Sequence, residues 1–90
     1  MADPDIYIPA LRKYLSSDFY CTRKQLSLSQ AQMAERLLID PRSYVELEHG
    51  RNLCCTRVFM FYLFRCKPER EALLLGIENT LNKVDRDLLE

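Results

Sequence analysis

Two helix-start signals, eleven residues apart, divide the middle of the chain into short segments. The first is a capping box, in which the Ser29 hydroxyl can accept from the third helical N–H and Gln32 can reach back to the cap N–H. The second is Asp40, a strong N-cap, followed by Pro41, whose missing N–H would be unpaired anyway. Gly50 suits the left-handed position just after a helix. The pattern predicts two short helices joined by a tight turn.

Apolar residues at helical spacing give each of these two helices one inward face. The first helix runs from Gln30 to about Leu37, Leu38-Ile39 forms the turn, and the second helix spans 41–49. The inward residues of the pair are Met33, Ala34, Leu37, Tyr44, Leu47 and Glu48. The outward residues of the second helix are Arg42, Ser43, Val45, Glu46 and His49.

The rest of the chain favours the same class of structure. Only 2 of 90 residues are Gly, and β-rich runs separated by turn residues are missing, so we expect one all-α domain over residues 1–90. Its parts are an N-terminal extension (1–17), a core (18–67) and a C-terminal helix (68–90) opened by Pro68. The further helices are expected at Pro9 to Leu15, at Asp18 to Leu26 with its cap in Ser16-Ser17-Asp18, at about 56–66 with Thr56 as the cap, and at 69–89.

Two apolar features exceed what a lone surface helix needs. The run Val58 to Phe64 is apolar all round its helix, where one stripe would suffice. The last helix carries a short seam at spacings of 3 and 4, too short for a coiled coil. We expect the N-terminal and last helices to cover part of the run, and a second subunit can cover the remainder. The seam residues are Leu74, Ile77, Leu81, Val84 and Leu88.

Charge is distributed unevenly although its sum is zero. Residues 1–18 carry two basic and three acidic residues, 19–67 carry eight and four, and 68–90 carry three and six, giving balances of −1, +4 and −3. A neutral total disfavours nucleic-acid binding by bulk charge alone, whereas a basic core leaves room for specific contacts.

The chain carries no recognisable catalytic, metal or membrane motif. The seven-residue run Val58 to Phe64 is far short of the ~20 residues of a membrane span. The N-terminus is acidic where a signal peptide is basic, so we expect a cytoplasmic protein with reduced thiols. The only His is His49, and no Ser/His/Asp set or Gly-rich phosphate loop occurs. We expect no enzyme, metal, cofactor or small-molecule substrate, and four mostly buried cysteines: Cys21, Cys54, Cys55 and Cys66.

From Phe19 to about Leu75 the pattern resembles the Cro/lambda-repressor-type (XRE) helix-turn-helix family. The residues that carry the resemblance are Arg23, Leu28-Ser29-Gln30, Met33-Ala34, Leu37, Ile39, Tyr44, Leu47-Glu48 and Gly50-Arg51. The resemblance implies a lambda-repressor-like domain of about five helices, with its helix-turn-helix at 30–49, an extra N-terminal helix and an extended C-terminal helix. Leu38 departs from the glycine common in the family's turn, and Tyr44 stands where Ile or Val is common.

The resemblance also implies a prokaryotic or phage-derived transcriptional regulator that binds double-stranded DNA through helix 41–49. Arg42 can bind guanine with two bonds and Glu46 can accept from cytosine, whereas the alternative is a solvated face on which these two side chains pair. The Arg23–Glu48 pair is expected to be structural. Base contacts are expected from Pro41, Arg42, Ser43 and Glu46, and phosphate contacts from Gln30, Arg51, Asn52 and Arg57.

Two hypotheses of function therefore stay open. The first is a sequence-specific regulator that forms a homodimer through the C-terminal helix, helix 56–66 or both, since such domains bind two-fold half-sites. The second is a protein-interaction module, antitoxin-like or an adaptor, that keeps the fold without strong DNA binding. Neutral total charge, Glu46 on the outward face and the large apolar helix favour the second.

Overall fold

The computed structural model describes residues 3–67 and 69–89, so Pro68 and both chain ends lie outside the described residues. The predicted all-α class is confirmed, because the described residues contain five α-helices and no strand. The elements are a 3-10 turn at Pro4–Tyr7, α1 (Ile8–Gln25), α2 (Gln30–Leu37), α3 (Pro41–Glu48), α4 (Thr56–Phe61), which continues into a π-helical turn at Tyr62–Cys66, and α5 (Arg70–Leu89).

The first long helix is continuous, so the predicted break at 16–18 is wrong. The Ser16 hydroxyl donates to the carbonyl oxygen of Lys13 at 2.9 Å, within the helix, instead of capping a new one. The Asp18 carboxylate accepts from Tyr62 and Lys67, far along the chain. These tertiary partners outweigh the local capping preference of a Ser-Ser-Asp sequence.

Both predicted caps form around α2 and α3. The Ser29 Oγ accepts from the Gln32 N–H at 3.1 Å, while the Gln32 Oε1 accepts from the Ser29 N–H at 2.8 Å. The Asp40 Oδ1 accepts from the Ser43 N–H at 2.9 Å and starts α3. The helices therefore begin where the capping residues predicted, at Gln30 and Pro41.

The turns beside these helices require left-handed backbone. Leu38 ends α2 with φ 57°, which costs about 1–2 kcal/mol in a residue with a Cβ. Gly50 follows α3 with φ 73°, and a Cβ there would lie 3.3 Å from the Ser16 Oγ. Gly50 thus meets both a conformational and a spatial requirement.

Helix 56–66 has the predicted extent, but its capping residue and the hydrogen bonding of its last turn differ from the prediction. Cys55 is the N-cap and provides no side-chain hydrogen bond, so the expectation that Thr56 caps this helix is wrong. In the last turn the Lys67 N–H donates to the Tyr62 carbonyl oxygen at 3.0 Å, the i→i+5 bond of a π-helix. The wider turn buries both Tyr62 and Cys66.

The core lies where α1, α2, α3 and the 56–66 helix meet. The Phe19 ring is at its centre, with its centroid 4.5 Å from that of Tyr62 and 6.4 Å from that of Tyr44. Edge-to-face rings at such distances pack favourably. Phe19 of α1 and residues of α2 therefore cover part of the apolar run, while Met60 and Phe64 stay exposed. The buried apolar residues are Leu15, Phe19, Met33, Ala34, Leu37, Tyr44, Leu47, Val58, Tyr62, Leu63, Cys66 and Leu73.

The C-terminal helix α5 packs against α1, and of its predicted seam Ile77, Leu81 and Val84 are half-buried while Leu74 and Leu88 are exposed. Leu73 is fully buried, whereas Leu74 is 49% and Leu88 is 52% exposed. Gly76 sits against the ring of Tyr14, and a Cβ there would collide with the Tyr14 hydroxyl at 1.7 Å. The predicted seam therefore keeps its phase in its middle, and Leu73 replaces Leu74 as the buried residue at its N-terminal end.

The cysteines do not follow the expectation that most are buried. Cys66 is buried and Cys54 half-buried, while Cys21 and Cys55 are exposed. Burial raises the pKa of both the Cys54 and the Cys66 thiol. Over the described ranges, helices of membrane-spanning length and hydropathy are absent.

Candidate nucleic-acid interface

The first turn of α3 lies on the surface of the molecule. Pro41, Arg42 and Ser43 are exposed, while Tyr44 and Leu47 on the opposite side are buried. The Tyr44 hydroxyl donates to the Phe19 carbonyl oxygen at 3.4 Å inside the core, and burial raises its pKa. Buried contacts therefore fix which side of α3 faces solvent.

The candidate base-contacting residue Glu46 pairs with the candidate phosphate-contacting residue Arg51. The Arg51 Nη1 lies 2.8 Å from the Glu46 Oε1, and the two side chains are 62% and 31% exposed. The alternative pairing of Glu46 with Arg42 is not formed, and Arg42 makes no ion pair with any described residue. The arrangement leaves one arginine at the first turn of α3 available to a ligand.

Ser43 is engaged in the cap of α3. Its hydroxyl donates to the Asp40 Oδ2 at 2.7 Å, while its N–H donates to Oδ1. These bonds, from the side chain first and then the backbone, hold the pKa of Asp40 below its ordinary value. A base contact by the Ser43 hydroxyl has to share or replace this bond.

A nearly buried ion pair connects α1 to the end of α3. Arg23 donates through Nε and Nη2 to the two carboxylate oxygens of Glu48, at 2.8 and 2.7 Å, with side chains 10% and 5% exposed. Arg23 also donates to the Leu28 carbonyl oxygen at 3.1 Å. Hydrogen bonding to Glu48 raises the pKa of Arg23. Burial alone would raise the pKa of Glu48, but the bonds from Arg23 bring it below its ordinary value. The pair thus fixes α3 against α1 in the charged form.

The remaining phosphate-contacting candidates have different surroundings. Gln30 is half-buried and donates from Nε2 to the Glu48 Oε1 at 3.4 Å, so it extends the ion pair. Arg57 donates from Nη1 and Nη2 to the carbonyl oxygens of Leu37 and Leu38 at 3.3 and 3.4 Å, at the end of α2. Asn52 is exposed in the loop after α3. Gln30 and Arg57 therefore already have structural partners.

An open cleft of about 460 Å³ lies beside the start of α2 and the end of α3. Its walls include Tyr20 of α1, Gln30 and His49, and the Arg23–Glu48 pair lines it as well. The small exposed part of the charged pair therefore lies at the wall of a cleft next to the candidate interface.

A second polar cluster was missed by sequence reasoning. The Lys67 Nζ lies 3.0 Å from the Asp18 Oδ1 and 3.4 Å from the Thr22 Oγ1. The Tyr62 hydroxyl contacts the Asp18 Oδ2 and lies 2.8 Å from the Thr22 Oγ1. Tyr62 and Lys67 lie 40–49 positions after their partners Asp18 and Thr22 of α1, so no local signal in the sequence links the two pairs of residues.

The chain matches no protein-family model, no curated protein and no solved structure. Within residues 3–67 and 69–89, no group of three or more His, Cys, Asp or Glu side chains is placed to hold a metal ion. The candidate interface consists of two capped helices with Arg42, which has no ion-pair partner among the described residues, on the first turn of α3.

Proposed function

We propose that this protein is a sequence-specific DNA-binding transcriptional regulator that inserts α3 into the major groove. The observation that carries the proposal is the orientation of α3. Its first turn is exposed with Arg42 outward, while Tyr44 and Leu47 are buried and Glu48 is clamped by Arg23. A helix held rigidly with its N-terminal residues outward has the form that enters a major groove.

Within the proposal, Arg42 makes the principal base contact. Its guanidinium has no carboxylate partner among the described residues, and bidentate binding to guanine O6 and N7 is the commonest specific contact of an arginine. Pro41 and Ser43 flank it on the same turn. Glu46 contributes to base recognition when its bond to Arg51 opens, which frees Arg51 for a phosphate.

Phosphate contacts come from the loop after α3 and from the N-terminus of α2. Arg51 and Asn52 are exposed, and the N-terminus of α2, which begins at Gln30, carries the partial positive charge of a helix start. Arg57 contributes only if it leaves the carbonyl oxygens of Leu37 and Leu38. With so few phosphate contacts we expect weak nonspecific affinity and a shallow salt dependence.

The proposal places the protein in the Cro/lambda-repressor-type family, as a cytoplasmic prokaryotic regulator that acts by occupying an operator. In this proposal the protein forms a homodimer through α5, the 56–66 helix or both. Exposed apolar residues on both helices, such as Phe64 and Leu75, favour this.

Selection from a random double-stranded DNA pool tests the proposal. We expect a palindromic site to be enriched, and Arg42→Ala to lose about 1–3 kcal/mol of binding free energy at one base-pair position in each half-site. Lys24→Ala on α1 is the matched control for loss of one exposed positive charge. Absence of any enriched site, or equal effects of the two substitutions, contradicts the proposal.

A second candidate function is a protein-interaction module without strong DNA binding. The observation that favours it is the internal use of polar groups: Glu46 pairs with Arg51, and Gln30 and Arg57 bind within the fold. A failed DNA selection together with tight binding to a protein partner would favour this candidate.

A further inference from the structure

The outward side of the 56–66 helix combines exposed apolar groups with arginines. Arg57 and Arg65 lie over the ring of Phe61, with the guanidinium carbon 5.3 and 4.2 Å from its centroid. Met60 and Phe64 beside them are 44% and 60% exposed. We refer to these five residues as the basic–aromatic face. It has an apolar middle and a positive charge towards each end.

The arginines of this face have no acidic partner in the part of the chain that the structure describes. Its three ion pairs are Arg23–Glu48, Arg51–Glu46 and Lys67–Asp18. A duplex phosphate backbone would accept the two arginines but leave Met60 and Phe64 without apolar contact. A protein surface with acidic and apolar residues satisfies both kinds of group.

The outer side of α5 has the complementary order of groups. Glu71, Leu74, Leu75 and Glu78 follow one another at spacings of 3, 1 and 3, which places them on one helix face. All four are exposed, the leucines by 49% and 57%. We call this set the acidic–leucine stripe. It has an apolar middle and a negative charge at each end.

The two surfaces match in length as well as in charge. From Arg57 to Arg65 a helix rises about 12 Å, and from Glu71 to Glu78 it rises about 10 Å, at 1.5 Å per residue. Aligned side by side, Arg65 can meet one glutamate, and Arg57 can meet the other with the N–H groups that it does not use on the carbonyl oxygens of Leu37 and Leu38. The phenylalanines and leucines then cover one another. Complementary charges at the rim of an apolar contact favour one register over others.

We propose that a second copy of this chain is the occupant of the basic–aromatic face, and that its acidic–leucine stripe makes the contact. In a two-fold dimer the arrangement occurs twice, since each copy offers one face and one stripe. This inference rests on the homodimer part of the proposed function and specifies its interface. It joins the 56–66 helix of one copy to α5 of the other, instead of pairing α5 with α5.

Charge reversal on each surface tests the interface by sedimentation equilibrium at low salt. Arg65→Glu alone should raise the dimer dissociation constant about tenfold or more, because a glutamate then faces a glutamate at one end of the acidic–leucine stripe. Glu71→Arg/Glu78→Arg should do the same, because arginine then faces Arg57 and Arg65. Lys83→Glu, a reversal on the α5 side that borders α1, is the control and should leave dissociation unchanged. Circular dichroism checks that each variant is folded.

Mixing the two reversed proteins is the decisive step. The mixed dimer keeps one contact of the natural kind, and in its other contact the Arg65→Glu glutamate meets an arginine while Arg57 faces a second arginine. The mixture should therefore form heterodimers more tightly than either variant forms homodimers, but less tightly than the natural chain dimerises. If Arg65→Glu leaves the dissociation constant unchanged, the basic–aromatic face lies outside the interface and the inference is wrong. If Glu71→Arg/Glu78→Arg leaves it unchanged, the acidic–leucine stripe lies outside the interface and the inference is equally wrong. A natural chain that stays monomeric also overturns it.

DNA selection separates this inference from the proposed function. A monomeric natural chain that still enriches a single half-site refutes the interface but leaves the regulator proposal standing. A dimer that responds to the reversals as expected but enriches no DNA site supports the interface and contradicts the regulator proposal.

Discussion

Two ion pairs lie almost wholly inside the molecule, and they are built differently. Arg23 donates two parallel hydrogen bonds to the Glu48 carboxylate, and the side chains are 10% and 5% exposed. Lys67 meets Asp18 through one contact of 3.0 Å, with both side chains 13% exposed. A guanidinium fork matches a carboxylate in direction, whereas an ammonium is a point charge that accepts several geometries. The first pair therefore sets an orientation, and the second holds two elements together.

The two pairs also differ in the number of neighbouring groups that bind them. The Tyr62 hydroxyl also donates to Asp18, and the Thr22 hydroxyl accepts from both Tyr62 and Lys67. Four residues therefore stabilise the junction of α1 with the π-helical turn. Around Glu48 the carboxylate depends mainly on Arg23, with a long bond from Gln30. Loss of one partner should therefore cost more at the Arg23–Glu48 pair.

The largest effect is expected for Glu48→Ala, which leaves the Arg23 guanidinium nearly buried without a counter-charge. We expect the free energy of unfolding to fall by about 3–5 kcal/mol. Urea unfolding followed by circular dichroism at neutral pH measures it. Glu46→Ala, which breaks the exposed pair with Arg51, is the control and should cost about 0–1 kcal/mol. Similar losses in the two variants would mean that burial does not distinguish these pairs.

A smaller loss is expected for Asp18→Ala, about 1.5–3 kcal/mol, because Lys67 can move towards solvent. Asp87→Ala is the control and should have little effect, because Asp87 is exposed and forms no ion pair with a described residue. The double variant Asp18→Ala/Lys67→Met should recover part of the loss, since no unpaired charge stays behind. If the second substitution adds to the loss instead, packing by the lysine stem outweighs its charge.

The difference between the two regions also explains what the sequence could predict. Ser29, Asp40 and Gly50 act on backbone groups within a few residues, so the start and end of α2 and α3 follow from local rules. The orientation of α3 follows from the periodicity of Tyr44 and Leu47. This region was predictable because its determinants are neighbours along the chain.

The junction of α1 with the 56–66 helix was not predictable from local rules. Asp18 has the side chain of an N-cap, but it binds Tyr62 and Lys67, 44 and 49 positions away. On α5, likewise, Leu73 is buried and Leu74 is exposed, and Gly76 lies beside Tyr14 of α1. Periodicity gives the spacing of a buried face, whereas the residue at which that face ends depends on the partner helix.

The left-handed backbone of Leu38 is expected to destabilise the fold within the region that the sequence predicted well. Leu38→Gly should raise the free energy of unfolding by about 1 kcal/mol, because glycine adopts φ 57° without a Cβ clash and the leucine is 59% exposed. Leu38→Ala removes the same side chain but keeps the Cβ, so it should give no gain. A gain with alanine would show that the exposed side chain, not the backbone, carries the cost.

The smallest effect is expected at Asp40, where the local cap depends on pH. Hydrogen bonds from Ser43 lower the pKa of Asp40 below its ordinary 3.8. The ionised carboxylate therefore stabilises the folded chain above pH 3.8, and this stabilisation is lost as the pH falls through the pKa of the folded state. Asp40→Asn keeps a capping oxygen but does not titrate. The difference in unfolding free energy between the natural chain and Asp40→Asn should stay constant from about pH 7 to pH 5 and shrink towards pH 3. Asp87→Asn, outside any cap, is the control. A difference that stays constant down to pH 3 would mean that the cap works as well with a neutral side chain.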